Sequence, residues 1–197
     1  MERALLVRHA ESTASLAGTV NGVPSAGVAL SPLGRRQAEE LAAVLADEPI
    51  GVVAVTGFPR TVETAELALR GRHVPRIVVP ELNDPDYGDF EGGSLDAFRD
   101  WAAAHTATER PPGGRESRAE IAARYARGFR TLAERPEAVV AAVLHSLPIA
   151  YALAVLDGRN PRAKERLIEY ATVYEVEGAA LERAAERLAA WAEAPTW

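Results

Sequence analysis

Apolar residues along this chain fall into two alternating periods, and the alternation lays out an order of elements. Residues 4–7 (ALLV) form a short unbroken apolar run, the pattern of a strand covered on both faces. Residues 31–49 then follow a helical period. Ala38, Leu41, Ala42 and Leu45 share one face, Ser31 is placed to cap, Pro32 suits the first turn and Pro49 closes the segment. The same alternation repeats: 50–55 (IGVVAV) predicts a strand, 60–69 (RTVETAELAL) a helix and 76–79 (RIVV) a short strand.

Periodicity is lost over 80–96 (PELNDPDYGDFEGGSLD), a loop rich in acidic side chains. It returns in predicted helices at about 94–104 and 117–134, the second with Ile121, Tyr125, Phe129 and Leu132 on one side. Residues 138–144 (AVVAAVL) are the longest apolar strand candidate, and 148–156 open a helix with Pro148 at its start. Residues 171–178 alternate as an edge strand. Over 179–191, Leu181, Ala184, Ala185, Leu188 and Trp191 mark a last helix. No internal repeat, linker or low-complexity tract interrupts the order. Strands alternating with helices predict an α/β fold, a three-layer αβα sandwich around a mostly parallel sheet, as a single domain over 1–197.

Open parallel sheets bind ligands beyond the carboxyl ends of their strands, so the residues following each strand matter most. After 4–7 come Arg8 and His9; after 50–55 comes TGFPR, ending in Arg60; after 138–144 come His145 and Ser146. Composition sharpens this pattern. The chain of 197 residues carries a net charge of −6, which disfavours a general grip on nucleic acid, so an anionic ligand would need arginines gathered locally. There is no cysteine, which removes disulfides, thiolate metal sites and thiol nucleophiles. No run approaches membrane-spanning length and the amino terminus lacks a signal-peptide pattern, so a cytoplasmic protein without membrane contact is the expectation.

A guanidinium fork matches phosphate or carboxylate oxygens two at a time, which suits Arg8 and Arg60 to an anion. One histidine could attack phosphorus and carry the phosphoryl group while the other stabilises charge on its oxygens. A carboxylic acid is then needed for the leaving oxygen, and Glu81, Asp84, Asp86, Asp89 and Glu91 are the candidates. Each residue alone has a plainer reading: a strand-edge ion pair for Arg8, a helix-start surface residue for Arg60, a solvated face for the acids. His73 in GRHVP reads as a turn residue and His105 as a helix-end residue suited to the dipole. A metal site built from two histidines and a carboxylate is disfavoured by two neighbouring arginines and by the lack of a local ligand pair. No GxGxxG follows the first strand, which disfavours a dinucleotide fold.

These residues carry a resemblance. LLVRHAES, LSPLGRRQAEELA, RTVETA, YGDFEGG, PPGGRES and VLHSLPI occur in the order found in the histidine phosphatase superfamily, which has the phosphoglycerate-mutase-like fold. The resemblance covers residues 4 to about 156. It implies that His9 is the phosphorylated nucleophile, that Arg8, Arg60 and His145 complete the phosphate pocket, and that Asp84 is the proton donor, with Glu81 and Glu91 in reserve. It extends the substrate-binding set to Ser15, Asn21, Gly22 and Ser146. Some positions depart from the family pattern. Asp84 stands where the mutases carry a longer glutamate, Ala10 replaces a glycine, Ser15 replaces an asparagine, VTGF replaces a serine-rich lead-in and His-Ser replaces His-Gly.

The resemblance implies a metal-independent phosphatase without cofactor, acting on a small phosphorylated metabolite through a phosphohistidine, with a homodimer left open. Two alternatives stand beside it. One is a mutase-like phosphotransferase, disfavoured because mutases carry longer insertions around the acid loop. The other is a degenerate protein that binds a phosphorylated ligand without turning it over.

Overall fold

Apolar runs become strands here where helices cover both faces of the sheet. The computed structural model describes residues 1–197. In chain order the elements are β1 (Arg3–Arg8), α1 (Thr13–Leu16), α2 (Pro32–Val44), β2 (Ile50–Val55), α3 (Pro59–Ala68), β3 (Arg76–Val78), α4 (Leu95–Ala104), α5 (Arg118–Ala133), β4 (Val139–Leu144), α6 (Ser146–Leu156), β5 (Val173–Glu177) and α7 (Gly178–Glu193). The sheet has the order β3-β2-β4-β1-β5, with β5 antiparallel to β1 and the other pairs parallel.

The period-2 alternation of the strands sorts side chains between two helical layers. Leu5 and Val7 of β1 join Leu41 and Leu45 from α2 and its end, and Ala65 and Ala68 of α3. Ala4 and Leu6 face the opposite way, into a larger cluster with Phe129, Tyr151, Leu181 and Leu188 from α5, α6 and α7. Burying each such leucine or valine contributes about 1.5–3 kcal/mol, so the layers and the strand order are held by the same contacts. This is the αβα sandwich that the alternation predicts.

Local details differ from the pattern-based boundaries for identifiable reasons. Helix α6 starts at Ser146, two residues ahead of Pro148, because first-turn amides need no partner inside the helix and proline is tolerated there. Four-residue α1 shows no periodicity and went unpredicted; Ser12 caps it by accepting from the Ser15 amide. The acidic loop contains two 3₁₀ turns, Pro80–Leu82 and Gly88–Phe90. At α5, Ser117 and Glu120 form a reciprocal capping box. Between β5 and α7 there is no loop at all, and Gly178 sits at the corner because a Cβ there would collide with the Met1 carbonyl oxygen.

Candidate active site

Strand register brings the two strand-end histidines together. β1 and β4 pair in parallel with Arg8 opposite Leu144, so His9 and His145 leave the sheet side by side. The His9 amide donates to the Leu144 carbonyl at 2.8 Å, and the two imidazoles lie 5.3 Å apart, edge to face at 67°. On the other side of β4, β2 leads through Thr56–Phe58 into α3, whose second residue is Arg60.

His9 is 3% exposed and its Nδ1 lies 2.7 Å from the Ala10 carbonyl oxygen. That oxygen can only accept, so Nδ1 carries the proton and Nε2 keeps its lone pair. Arg60 Nε donates to this Nε2 at 3.2 Å. Burial, followed by the charges of Arg60, His145 and Arg8, holds the His9 pKa well below its ordinary value, so the ring is neutral. The loop carrying His9 is clamped to α2: Ser31 donates its hydroxyl to Glu11 at 2.6 Å and accepts from the Gly34 amide at 2.9 Å. Gly34 is required there, since a Cβ would collide with the Glu11 carbonyl oxygen.

Arg60 is the hub. It donates to the Asn21 side-chain oxygen at 2.7 Å, the Asn21 carbonyl at 3.1 Å and Asp84 at 2.8 Å, and lies over the Phe58 ring at 4.2 Å. His145, fully buried, sits with Nδ1 3.2 Å from the same Asp84 oxygen and Nε2 2.9 Å from the Thr56 hydroxyl. Burial pulls its pKa down and the Asp84 carboxylate partly restores it. For Asp84, burial alone would raise the pKa. His145 and Arg60 outweigh it and hold the carboxyl below the ordinary carboxylate range. Arg8 donates to the Ile168 carbonyl at 2.5 Å and stacks 3.6 Å above the Tyr170 ring, while its buried Nε has no protein partner.

These groups open onto a cleft of about 360 Å³, the size of a small-ligand site. Arg8, His9, Ser15, Asn21, Arg60, Asp84 and Ser146 line it, with His145 behind them. Four of the expected residues are engaged elsewhere in the protein or lie apart from the histidines. The Gly22 amide donates to the Glu91 carboxylate at 2.8 Å and Gly22 does not line the cleft, so it has no free donor for a ligand. Asn21 spends its amide donors on Glu91 and the Val23 carbonyl and its oxygen on Arg60, so it orients the arginine. Glu91 is occupied by that clasp. Glu81 lies outside the cleft and only its backbone carbonyl is used, by Arg124. Of the reserve donors, neither reaches the histidines.

Ala10 is compatible with its backbone, because Ala171 is the sole non-glycine residue with positive φ. Its amide donates to the Thr64 hydroxyl at 3.0 Å. His105 bonds the Trp101 carbonyl at 2.7 Å, a structural role. Sequence reasoning missed Thr56 and Thr61, whose linked hydroxyls back His145, as well as Tyr170 beneath Arg8 and Arg118 in the cleft wall. For Thr56 the one available signal was its place directly after β2; for Thr61, in the first turn of α3, and for the others there was none.

No helix is long and apolar enough to cross a membrane. An adenosylcobalamin/alpha-ribazole phosphatase of Salmonella typhimurium is 39% identical over 89 residues, 45% of this chain and 43% of that protein, so the match spans under half of the relative. The glucosyl-3-phosphoglycerate phosphatase of a mycobacterium, solved with VO3, superposes with a TM-score of 0.69 at 27% identity, over 89% of this chain and 92% of that one. An alpha-ribazole-5'-P phosphatase structure from Escherichia coli K-12, described as putative, shares the fold with a TM-score of 0.75 at 24% identity, over 89% and 90% of the two chains. A family model for the histidine phosphatase superfamily (branch 1) matches residues 4–191, and the chain belongs to that family.

Proposed function

We propose that the protein is a phosphatase that hydrolyses a small phosphomonoester through a phosphohistidine on His9. One observation carries the reading: the neutral His9 imidazole, pinned through Nδ1 to Ala10, presents the Nε2 lone pair beside the Arg60 guanidinium inside a buried cleft. In the first step Nε2 attacks phosphorus, the N–P bond forms and the ester P–O bond breaks. Arg8, Arg60 and His145 meet the charge on the phosphoryl oxygens. The departing oxygen takes a proton from Asp84. Water then attacks phosphorus, Asp84 takes its proton, and the N–P bond breaks to release phosphate and neutral His9.

Asp84 is ionised in the ligand-free cleft because Arg60 and His145 hold it. An arriving phosphate competes for that same arginine and brings negative charge next to the carboxylate, and both effects raise the pKa of Asp84. Substrate binding thereby prepares the acid. A phosphoester has a second pKa of about 6, so near that pH the substrate itself can deliver the proton. The relatives are named for different esters, which fits a common phosphoryl step with a variable leaving group.

The test is trapping of acid-labile phosphohistidine from a labelled phosphoester, together with phosphate release from p-nitrophenyl phosphate. Wild type should label and release phosphate, and His9→Ala should do neither. Phosphate binding without any labelling would leave only a binding protein. Phosphoryl transfer between sugar-acid positions without net release would make it a mutase.

A further inference from the structure

Ser146 opens α6 but spends its hydroxyl elsewhere. A serine at a helix start commonly caps the helix, yet this one lies one residue inside, and the cap residue, His145, makes no side-chain cap bond. The Ser146 hydroxyl oxygen instead faces the Ile168 amide at 2.9 Å, 22 positions along the chain. An amide can only donate, so the serine oxygen is the acceptor. Glycine, which the family pattern has at this position, offers no atom for such a bond.

Ile168 belongs to the segment 157–172, which joins α6 to β5 with no helix or strand of its own. Ala163, Glu165, Arg166, Leu167 and Tyr170 of this strap form one wall of the cleft. Between Arg162 and Tyr170 only Ile168 is buried, and its side chain joins the larger core cluster. Both of its backbone groups are taken as well, the N–H by Ser146 and the carbonyl by Arg8 Nη1 at 2.5 Å. Towards α4 the strap is held by the Glu165 carbonyl, which accepts from Arg99 at 2.8 Å, and by an exposed Lys164–Asp100 pair of the kind that contributes little. Ile168 is therefore the point at which the strap is seated.

Arg8 is the group that this seating serves. Its Nη1 is spent on Ile168, its Nε is buried, and the Tyr170 ring lies over its face at 3.6 Å, which leaves the Nη2 edge for phosphate. The place of the Ile168 carbonyl sets the direction of that edge. A guanidinium meets phosphate oxygens in a fixed plane, so a displaced carbonyl turns the donor away. Resting on the phosphatase reading, we infer that Ser146 is a positioning residue that holds Ile168, and through its carbonyl aims Arg8 at the phosphate. Arg8 meets phosphate in the ground and transition states alike, so a loss of aim falls on KM more than on kcat.

The test compares Ser146→Ala and Ser146→Gly, which remove the acceptor, with Ser146→Thr, which keeps it. Three readouts are taken: steady-state kinetics with p-nitrophenyl phosphate, calorimetry of inorganic phosphate, and limited trypsin cleavage of the strap at its exposed Arg162, Lys164 and Arg166. Alanine and glycine should raise KM and the phosphate Kd about fivefold or more, with kcat lowered less than about threefold. Strap cleavage should speed up about fivefold or more in both, as an anchored segment opens more often. Threonine should return every readout to within about twofold of wild type, because its hydroxyl accepts equally well. If the alanine variant does not fold, the glycine variant decides. Weaker phosphate binding with unchanged strap cleavage would make Ser146 a direct phosphate ligand and overturns the inference. Faster cleavage with unchanged phosphate affinity, or a loss confined to kcat, overturns it too. Wild type that binds phosphate, with no effect of any variant, overturns this inference alone. Wild type that neither binds phosphate nor hydrolyses the ester overturns the phosphatase reading and this inference with it.

Discussion

Asp84→Asn separates the proton-transfer role proposed for this residue from its structural one. Asparagine keeps the size of the side chain and one oxygen for Arg60 Nη2, which lies 2.8 Å away, but it cannot donate an acidic proton. General acid catalysis contributes roughly 10²–10⁴-fold, and most of that should vanish for an alkyl phosphate, whose leaving oxygen must be protonated. With p-nitrophenyl phosphate the leaving group departs as a stable anion, and the loss should stay below about tenfold, a gap of at least ~1.4 kcal/mol between the two substrates.

The same substitution should tighten phosphate. Asp84 places a negative charge against both Arg60 and His145, where an incoming phosphate must sit. Like charges about 4 Å apart repel by roughly 4 kcal/mol at an effective dielectric near 20, reduced here by the positive groups around them. Inorganic phosphate should therefore inhibit the variant at concentrations at least tenfold lower than wild type. Steady-state kinetics with both esters, plus phosphate inhibition, make the assay. Equal losses on the two esters, or weaker phosphate inhibition, would refute the assignment of Asp84 as the acid.

Other outcomes follow from the same geometry. The His9 and His145 pKa values are both depressed on folding, so below about pH 6.5 the unfolded chain binds more protons and stability falls by up to ~1.4 kcal/mol per pH unit for each ring; urea melts at pH 7.5 and 5.5 should show this slope, and His9→Asn should reduce it to the His145 share. Thr56→Val removes the partner of His145 Nε2 and leaves a buried polar atom unpaired, for a stability loss of about 1–3 kcal/mol in urea melts and a fall in kcat with KM little changed. Gly34→Ala forces a Cβ into the Glu11 carbonyl and should cost about 1–3 kcal/mol or more, with reduced activity as the His9 loop shifts.

The parts of the site legible in the sequence share a physical reason. Arg8, His9 and His145 follow apolar runs directly, and a parallel sheet makes strand ends converge whatever the helices do. Arg60 was legible because the turn after β2 is short. Asp84 was one of several acids in an aperiodic loop, and only the family resemblance singled it out. The contacts that tune the site were hidden because they join distant segments: Thr56 meets His145 across 89 positions, and Arg8 meets Ile168 across 160. The engagement of Asn21 was hidden for the same reason, since a polar loop residue does not announce that its amide bonds Glu91 and Val23.

The site in turn bears on how the core chooses its register. β4 is apolar at every position from Val139 to Leu144, and β1 from Ala4 to Val7, so polarity does not tell one face of these strands from the other. A one-residue slip would exchange their faces at no cost in exposed polar groups, a situation in which register is weakly specified. What marks the register is the strand end. Arg8 is fixed by the Ile168 carbonyl and the Tyr170 ring, and its own carbonyl accepts from the Ala171 amide at 3.0 Å. Ala171 holds φ at +48° to make that contact, a strain of order 1 kcal/mol or more that persists only where surrounding contacts over-determine it. The slip would break all three contacts and turn His9 away from Arg60. Register and active site are therefore specified by the same residues, and substitutions at Arg8 should disturb folding and phosphate binding together, whereas those at Asp84, which lies in a loop beyond the sheet, need not.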